Sequence, residues 1–137
     1  MAASGKRTHR ILVVDDEPLV CESISRMLVA HGHEVETAGS GEAALILFRQ
    51  RKFDVVIMDY ELPLMDGGNA ALAMRALDPN QPIALITAYA EALQAARTPL
   101  AGVDVVISKP FGSQELCENV TRLLAKRAGS AGAAPGR

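Results

Sequence analysis

The sequence contains no tryptophan, two tyrosines, three phenylalanines and two cysteines in 137 residues. Its apolar runs are far shorter than the roughly 18 residues that a membrane-spanning helix needs, and its first ten residues lack the apolar stretch of a secretory signal peptide. The formal net charge of −2 does not indicate a surface for nucleic acid. Cys21 and Cys117 fall in helical patterns without metal-ligand spacing, which favours free thiols over a disulfide or a zinc site. We therefore expect a cytoplasmic protein that neither binds nucleic acid directly nor enters a membrane.

Four short apolar runs, rich in β-branched residues, are the first positive signal. They span 11–14, 55–58, 83–86 and 103–107, and each is too short for a helix. Runs that are apolar at nearly every position, rather than at every second one, are typical of parallel strands covered on both faces. The weaker segment 33–38 alternates polar and apolar residues, which indicates a strand at or near the edge of a sheet.

Helical patterns of apolar residues separate these runs. A proline at a first-turn position opens the first pattern, and a serine that can cap a helix opens the second. The first predicted helix begins near Pro18. The second runs from Ser40 to Arg49, the third from Gly68 to Leu77 and the fourth from Ala90 to Arg97. The fifth begins after Gly112. Strand and helix alternate five times, so we predict an α/β fold, a doubly wound five-stranded parallel sheet with helices on both faces.

The length fits a single domain with a core of its own. We place that domain at residues 8–127. Residues 1–7 are mostly small or polar and are expected to form a flexible N-terminus. Residues 128–137 consist of Ala, Gly, Ser, Pro and one Arg, and are expected to be a disordered tail or the stub of a linker.

Polar side chains follow four of the predicted strands at the point where each strand ends. The first strand runs into Asp15 and Asp16, the third into Asp59, the fourth into Thr87, and the last into Lys109. Because the carboxyl ends of parallel strands share one edge of the sheet, and ligands bind there where the strand order reverses, we expect these groups to converge.

Electrostatics indicates what such a cluster binds. Three carboxylates and one ammonium sum to −2, and closely packed like charges raise one another's pKa. A divalent cation neutralises the sum, and oxygen ligands without His or Cys favour Mg²⁺ over zinc. The alternative is a solvated acidic rim without function, but its repulsion would destabilise the protein for no return.

The same residues carry a family resemblance. Residues 11–18 (ILVVDDEP) and 56–67 (VIMDYELPLMDG), together with Thr87-Ala88 and Lys109-Pro110-Phe111, resemble the signatures of bacterial response-regulator receiver domains. Their order and spacing agree with that family over about residues 8–127. The resemblance implies the flavodoxin-like receiver fold with strand order 2-1-3-4-5.

The resemblance also implies a reaction. Asp59 would be the nucleophile that accepts a phosphoryl group from the phospho-His of a sensor histidine kinase or a phosphotransfer protein. Lys109 would pair with the phosphoryl oxygens, and Thr87 would hydrogen-bond one of them after transfer. The peptide bond between Lys109 and Pro110 would be cis. The protein would not be a turnover enzyme, since it would catalyse only its own phosphorylation and autodephosphorylation.

A metal site follows from the same resemblance. Asp16 and Asp59 would ligate Mg²⁺ directly, together with the backbone carbonyl of Glu61. Asp15 would hold the ion through a water molecule.

One position departs from the family pattern. Receiver domains usually carry Tyr or Phe three residues before the Lys, where this chain has Val106. An aromatic side chain appears instead at Tyr89, two residues after Thr87. In the family, that aromatic side chain turns inward when the Thr moves, and this movement is the switch. Tyr89 either covers the first turn of the fourth helix or takes over part of the switch. Together with Glu61 it flanks the path by which water would reach the phosphoryl group.

The resemblance places the output surface on the fourth helix, the fifth strand and the fifth helix. That surface is unusually uncharged in this sequence, which favours docking of a downstream protein or a homodimer. The alternative is that alanines simply suit a short helix. Its apolar members are Ala90, Ala92, Leu93, Ala95, Ala96 and Val106.

Three other interpretations remain open. We favour a stand-alone regulator, but the chain could be a receiver domain excised from a longer one. It could also be a constitutive protein-binding receiver whose switch is impaired by Val106. A metal-dependent phosphohydrolase is the third, and it is disfavoured because no Asp-x-Asp pair starts at Asp59 and no substrate-cap insertion is present.

Overall fold

Five strands and five helices alternate along the chain in the computed structural model, which describes residues 8–95, 100 and 102–133. This alternation confirms the predicted fold class. In chain order the elements are β1 Arg10–Val14, α1 Pro18–Ala30, β2 Glu34–Ala38, α2 Gly41–Gln50, β3 Val55–Asp59, α3 Gly67–Leu77, β4 Ile83–Thr87, α4 Ala90–Ala95, β5 Val105–Ser108 and α5 Ser113–Ala133.

The strands form one parallel sheet in the order β2-β1-β3-β4-β5, as predicted. The chain leaves β1 toward one edge to form β2, then crosses back to form β3 on the other side of β1. The reversal of direction therefore lies between β1 and β3, whose carboxyl ends carry the acidic residues.

The apolar core lies on both faces of this sheet. Alternate residues of each strand point to opposite faces, so Leu12 packs with α2 and α3 while Ile11 packs with α1 and α5. Every residue of β3 and β4 is buried, which explains why their sequences are apolar without alternation. β2 lies at an edge and is only partly buried, as its alternation indicated. Both cysteines are free.

Caps define where two helices begin. The Ser40 hydroxyl accepts the Ala43 N–H at 3.0 Å and opens α2, as predicted. The Asp66 carboxylate accepts the Asn69 N–H at 2.8 Å, so α3 begins at Gly67, one residue before the predicted start.

The structure describes the two predicted terminal segments only in part. α5 continues to Ala133 and so includes residues 128–133, which the sequence analysis assigned to the tail. Three predicted segments lie outside the described residues. They are the flexible residues 1–7, the end of the fourth helix at Ala96 and Arg97, and tail residues 134–137. Within the described residues, no helix combines the length and apolar character needed to cross a membrane.

Candidate functional site

Three carboxylates meet at the carboxyl edge of the sheet. Asp15 and Asp16 follow β1, and Asp59 ends β3, which is the neighbour of β1. One oxygen from each lies within 4.8 Å of the others. Asp15 and Asp59 are only 3% and 5% exposed, whereas Asp16 is open to solvent. The structure thus brings together the acidic residues that the sequence placed at this edge.

Backbone donors orient the two buried carboxylates. The Glu17 N–H donates to Asp15 Oδ1 at 2.9 Å, and the Glu61 N–H donates to Asp59 Oδ1 at 3.2 Å. Each donor lies two residues after its acceptor, an arrangement in which an Asp side chain closes a turn with its own backbone. The turns after β1 and β3 therefore hold Asp15 and Asp59 in place.

Lys109 supplies the positive charge at this edge. Its Nζ lies 3.5 Å from Asp59 Oδ2 and 3.9 Å from Asp15 Oδ2. The Lys109 N–H donates to the Thr87 carbonyl at 2.9 Å and so extends the pairing between β4 and β5. The peptide bond between Lys109 and Pro110 is cis, as the resemblance implied.

The cluster remains short of positive charge despite Lys109. Burial, reinforced by the negative charges of Asp59 and Asp16, raises the pKa of Asp15 to about 6, although the Glu17 N–H and Lys109 act in the opposite direction. The negative charges of Asp59 and Asp16 that contribute to this rise would also attract an added cation. Within the described part of the chain, the ligand group consists of carboxylates alone. A hard divalent ion such as Mg²⁺ fits this donor set.

Thr87 ends β4 beside the acidic cluster and is completely buried. Its hydroxyl donates to Glu61 Oε2 at 2.5 Å and accepts the Tyr89 N–H at 3.0 Å. The sequence analysis assigned the backbone carbonyl of Glu61 to the metal site and placed Glu61 beside the path of water, but it did not predict this side-chain contact. The only sign of this contact in the sequence was a carboxylate two residues after Asp59. The direction in which that side chain points depends on how β3 and β4 pack.

Gly67 positions the end of β3 in a way that the sequence analysis also missed. A Cβ atom at this residue would lie 2.5 Å from the Asp59 carbonyl oxygen and 2.9 Å from Tyr60 Cα. The Gly67 N–H donates to the Tyr60 carbonyl, while the Tyr60 N–H donates to the Ile86 carbonyl. The first turn of α3 therefore packs directly on the backbone that carries Asp59, at a distance that only glycine permits.

The two residues of the predicted switch lie in different surroundings. Tyr89 is 62% exposed, so its ring is mainly in solvent in this structure. Val106 is half-buried in the middle of β5, opposite Leu85 of β4. The part of Tyr89 that forms a hydrogen bond with Thr87 is its backbone N–H.

The comparisons with known sequences agree on one family. The family model of the response regulator receiver domain matches residues 11–121. The transcriptional regulatory protein PrrA of Mycobacterium tuberculosis is 34% identical over 128 residues, which are 93% of this chain and 55% of PrrA. The regulatory protein AtoC of Escherichia coli K12 is 40% identical over 116 residues, 85% of this chain and 25% of AtoC. The chain spans about half the length, or less, of these curated relatives.

Solved structures show the same similarity in three dimensions. The response regulator TrrA of Thermotoga maritima, in complex with Mg²⁺-BeF, is 36% identical to this chain and superposes with a TM-score of 0.78. The match covers 85% of this chain and 100% of TrrA. A CheY-like receiver domain protein of Methanospirillum hungatei is 27% identical with a TM-score of 0.83, covering 90% of this chain and 99% of its own.

Proposed function

The chain belongs to the response regulator receiver domain family of two-component signalling, and on that premise we propose that it accepts a phosphoryl group on Asp59 in a Mg²⁺-dependent reaction. The donor in this proposal is the phospho-His of a sensor histidine kinase or a phosphotransfer protein. The observation that carries the proposal is the position of Asp59. Its buried carboxylate lies 3.5 Å from the Lys109 ammonium, within the group of three carboxylates.

The reaction forms a bond between a carboxylate oxygen of Asp59 and phosphorus and breaks the bond between phosphorus and the histidine nitrogen. Phosphoryl transfer depends mainly on alignment and on neutralising the phosphoryl oxygens. The turn after β3 aligns Asp59 through the Glu61 N–H. Lys109, which now pairs with two carboxylates, would exchange that pairing for the phosphoryl oxygens.

The proposed metal ligands are the carboxylates of Asp16 and Asp59 and the backbone carbonyl of Glu61, with Asp15 acting through a water molecule. Bound Mg²⁺ would neutralise negative charge on the phosphoryl oxygens as they approach. The assignment is supported by the proximity of the three carboxylates and by the exposure of Asp16, which leaves solvent access on one side of the site. Mg²⁺ usually keeps several water ligands in such sites.

The proposed output is a change at the surface formed by α4, β5 and α5, read by a downstream protein or by a second copy of the chain. Ala92 and Ala95 are exposed on α4, and Leu93 and Val106 are half-buried. PrrA is a transcriptional regulatory protein, but the matched residues make up only 55% of its length, so that function is not carried over to this chain. The cytoplasmic location remains a prediction.

Intact mass spectrometry tests the function. We expect the protein to gain the mass of one phosphoryl group when it is treated with acetyl phosphate and Mg²⁺, and to gain none when EDTA replaces Mg²⁺. Absence of labelling under both conditions would contradict the proposal. Turnover of a generic phosphomonoester without a labelled protein intermediate would instead identify a phosphohydrolase.

A second candidate function is constitutive protein binding by a receiver that is phosphorylated without switching. It is favoured by one feature, the aliphatic Val106 on β5 combined with the exposed ring of Tyr89. Phosphorylated protein whose amide hydrogen exchange equals that of the unphosphorylated protein would support this alternative.

A further inference from the structure

Glu61 contacts both the acceptor and the hydroxyl that responds to phosphorylation. It lies in the segment between β3 and α3 and is exposed to solvent. Its backbone N–H donates to Asp59 Oδ1 at 3.2 Å, and its side-chain Oε2 accepts the Thr87 hydroxyl at 2.5 Å. The family resemblance assigned the Glu61 backbone to the metal site. Neither that role nor the place of Glu61 beside the path of water explains the side-chain bond to Thr87.

The Thr87 hydroxyl carries one proton and can donate it to one strong acceptor at a time. In this structure the acceptor is the Glu61 carboxylate, and short hydrogen bonds to a charged oxygen are among the stronger ones. A phosphoryl oxygen on Asp59 would compete for the same proton. The Thr87 oxygen also accepts the Tyr89 N–H, so its position is linked to the turn that leads into α4.

We propose that Glu61 is a latch that holds Thr87 in the unphosphorylated arrangement and sets how readily the protein switches. The inference rests on the proposed function, because the competing acceptor is the phosphoryl group on Asp59. Phosphorylation acts on the latch twice, since it supplies a new acceptor for Thr87 and places negative charge near the Glu61 carboxylate. The Tyr89 N–H then follows the Thr87 oxygen and carries the change to α4. Glu61 is thus a positioning residue for the switch.

Binding of beryllium fluoride, an analogue of the phosphoryl group, tests the latch. We expect Glu61→Ala to raise the affinity for this anion in saturating Mg²⁺ by about tenfold, as followed by amide NMR titration. Glu17→Ala is the matched control, because it removes an exposed carboxylate next to Asp16 without touching Thr87, and its gain should stay below about twofold. Equal gains in the two variants would overturn the latch, since charge removal alone would then explain the effect.

A double-mutant cycle separates the hydrogen bond from the remaining charge effect. Thr87→Val keeps the shape of the side chain and removes the hydroxyl. In this background Glu61→Ala should gain no more affinity than Glu17→Ala does. A full tenfold gain without the hydroxyl would also overturn the proposal.

A measurement on the unphosphorylated, metal-free protein keeps the latch separable from the function. Because the Tyr89 N–H donates to the Thr87 oxygen, freeing Thr87 should speed hydrogen exchange at the Tyr89 amide in Glu61→Ala but not in Glu17→Ala. Unchanged exchange in both variants would refute the latch. Failure of the native protein to bind beryllium fluoride with Mg²⁺ would instead refute the proposed function, and the latch with it.

Discussion

Asp15 and Asp16 are neighbours in the sequence but lie in different surroundings. Asp15 is buried, holds the Glu17 N–H and faces Lys109, while Asp16 is open to solvent. Both belong to the group of carboxylates within reach of one ion. Because of this difference in exposure, we expect Asp16 to matter more for metal affinity and Asp15 to matter more for the stability of the metal-free protein.

Metal affinity should depend more on Asp16 than on Asp15. Asp16→Asn removes a proposed direct ligand, whereas Asp15→Asn removes a charge that acts through water and also relieves repulsion within the cluster. We expect Asp16→Asn to weaken Mg²⁺ binding by about tenfold or more and Asp15→Asn to weaken it less, as measured by calorimetric titration. Equal affinity in Asp16→Asn and the native protein would exclude a direct ligand at this position.

The raised pKa of Asp15 gives a pH-dependent stability in the metal-free protein. Because its pKa rises from 3.8 to about 6 on folding, the native state keeps a proton that the unfolded chain has already released between those values. The free energy of unfolding therefore falls as pH rises through this interval. Asp15→Asn should stabilise the metal-free protein by about 1–2 kcal/mol at neutral pH, a figure reduced for solvent screening.

Urea unfolding in EDTA at several pH values measures this difference. The gain from Asp15→Asn should shrink toward zero near the ordinary pKa of an aspartate, about 4. Asp16→Asn is the control, since an exposed carboxylate suffers less from the loss of water. A gain that is independent of pH would show that ionisation of Asp15 is not its cause.

At the scale of secondary-structure elements, strand positions followed from the sequence because every inner strand is covered on both faces. Asp104 interrupts the last apolar run, and β5 begins after it. Its carboxylate accepts the Ile83 N–H at 2.8 Å and pairs with Arg75 and Lys126. The boundaries of β5 and the Glu61–Thr87 bond could not be predicted, because both depend on contacts between segments more than twenty residues apart.

The junction between β3 and α3 gives a prediction at this scale. Gly67→Ala should destabilise the protein by about 2–3 kcal/mol, because the new Cβ would overlap the backbone of Asp59 and Tyr60. Gly68→Ala is the matched control. Its Cβ would meet its nearest atom, Asp66 Oδ1, at 3.3 Å, and alanine suits a helix better than glycine. Equal unfolding free energies for the two variants would contradict the close packing at Gly67.

At the scale of the whole molecule, the strand order determines where the site lies. The reversal between β1 and β3 places Asp15, Asp16 and Asp59 at one point, and β4 and β5 add Thr87 and Lys109 beside it. The sequence was sufficient to predict this convergence, since each group lies within two residues of the end of an apolar run. The directions of individual side chains were not predictable at the same level.

The same arrangement predicts where phosphorylation changes the molecule. Thr87 and Lys109 both border the surface of α4, β5 and α5, so hydrogen exchange should change mainly between residues 87 and 116 on phosphorylation. Unphosphorylated protein with Mg²⁺ is the control for the effect of the metal alone. Changes confined to α1 and α2 would contradict this placement of the output surface.

The identity of the acceptor is the central claim, and intact mass after treatment with acetyl phosphate and Mg²⁺ tests it most directly. Asp59→Asn should gain no mass, because its amide cannot form the acyl phosphate. Asp54→Asn is the matched control on the same segment. Asp54 directly precedes β3 at the opposite edge of the sheet, where its carboxylate accepts the Arg10 N–H at 2.8 Å. We expect this control to be labelled like the native protein. Full labelling of Asp59→Asn would contradict the account.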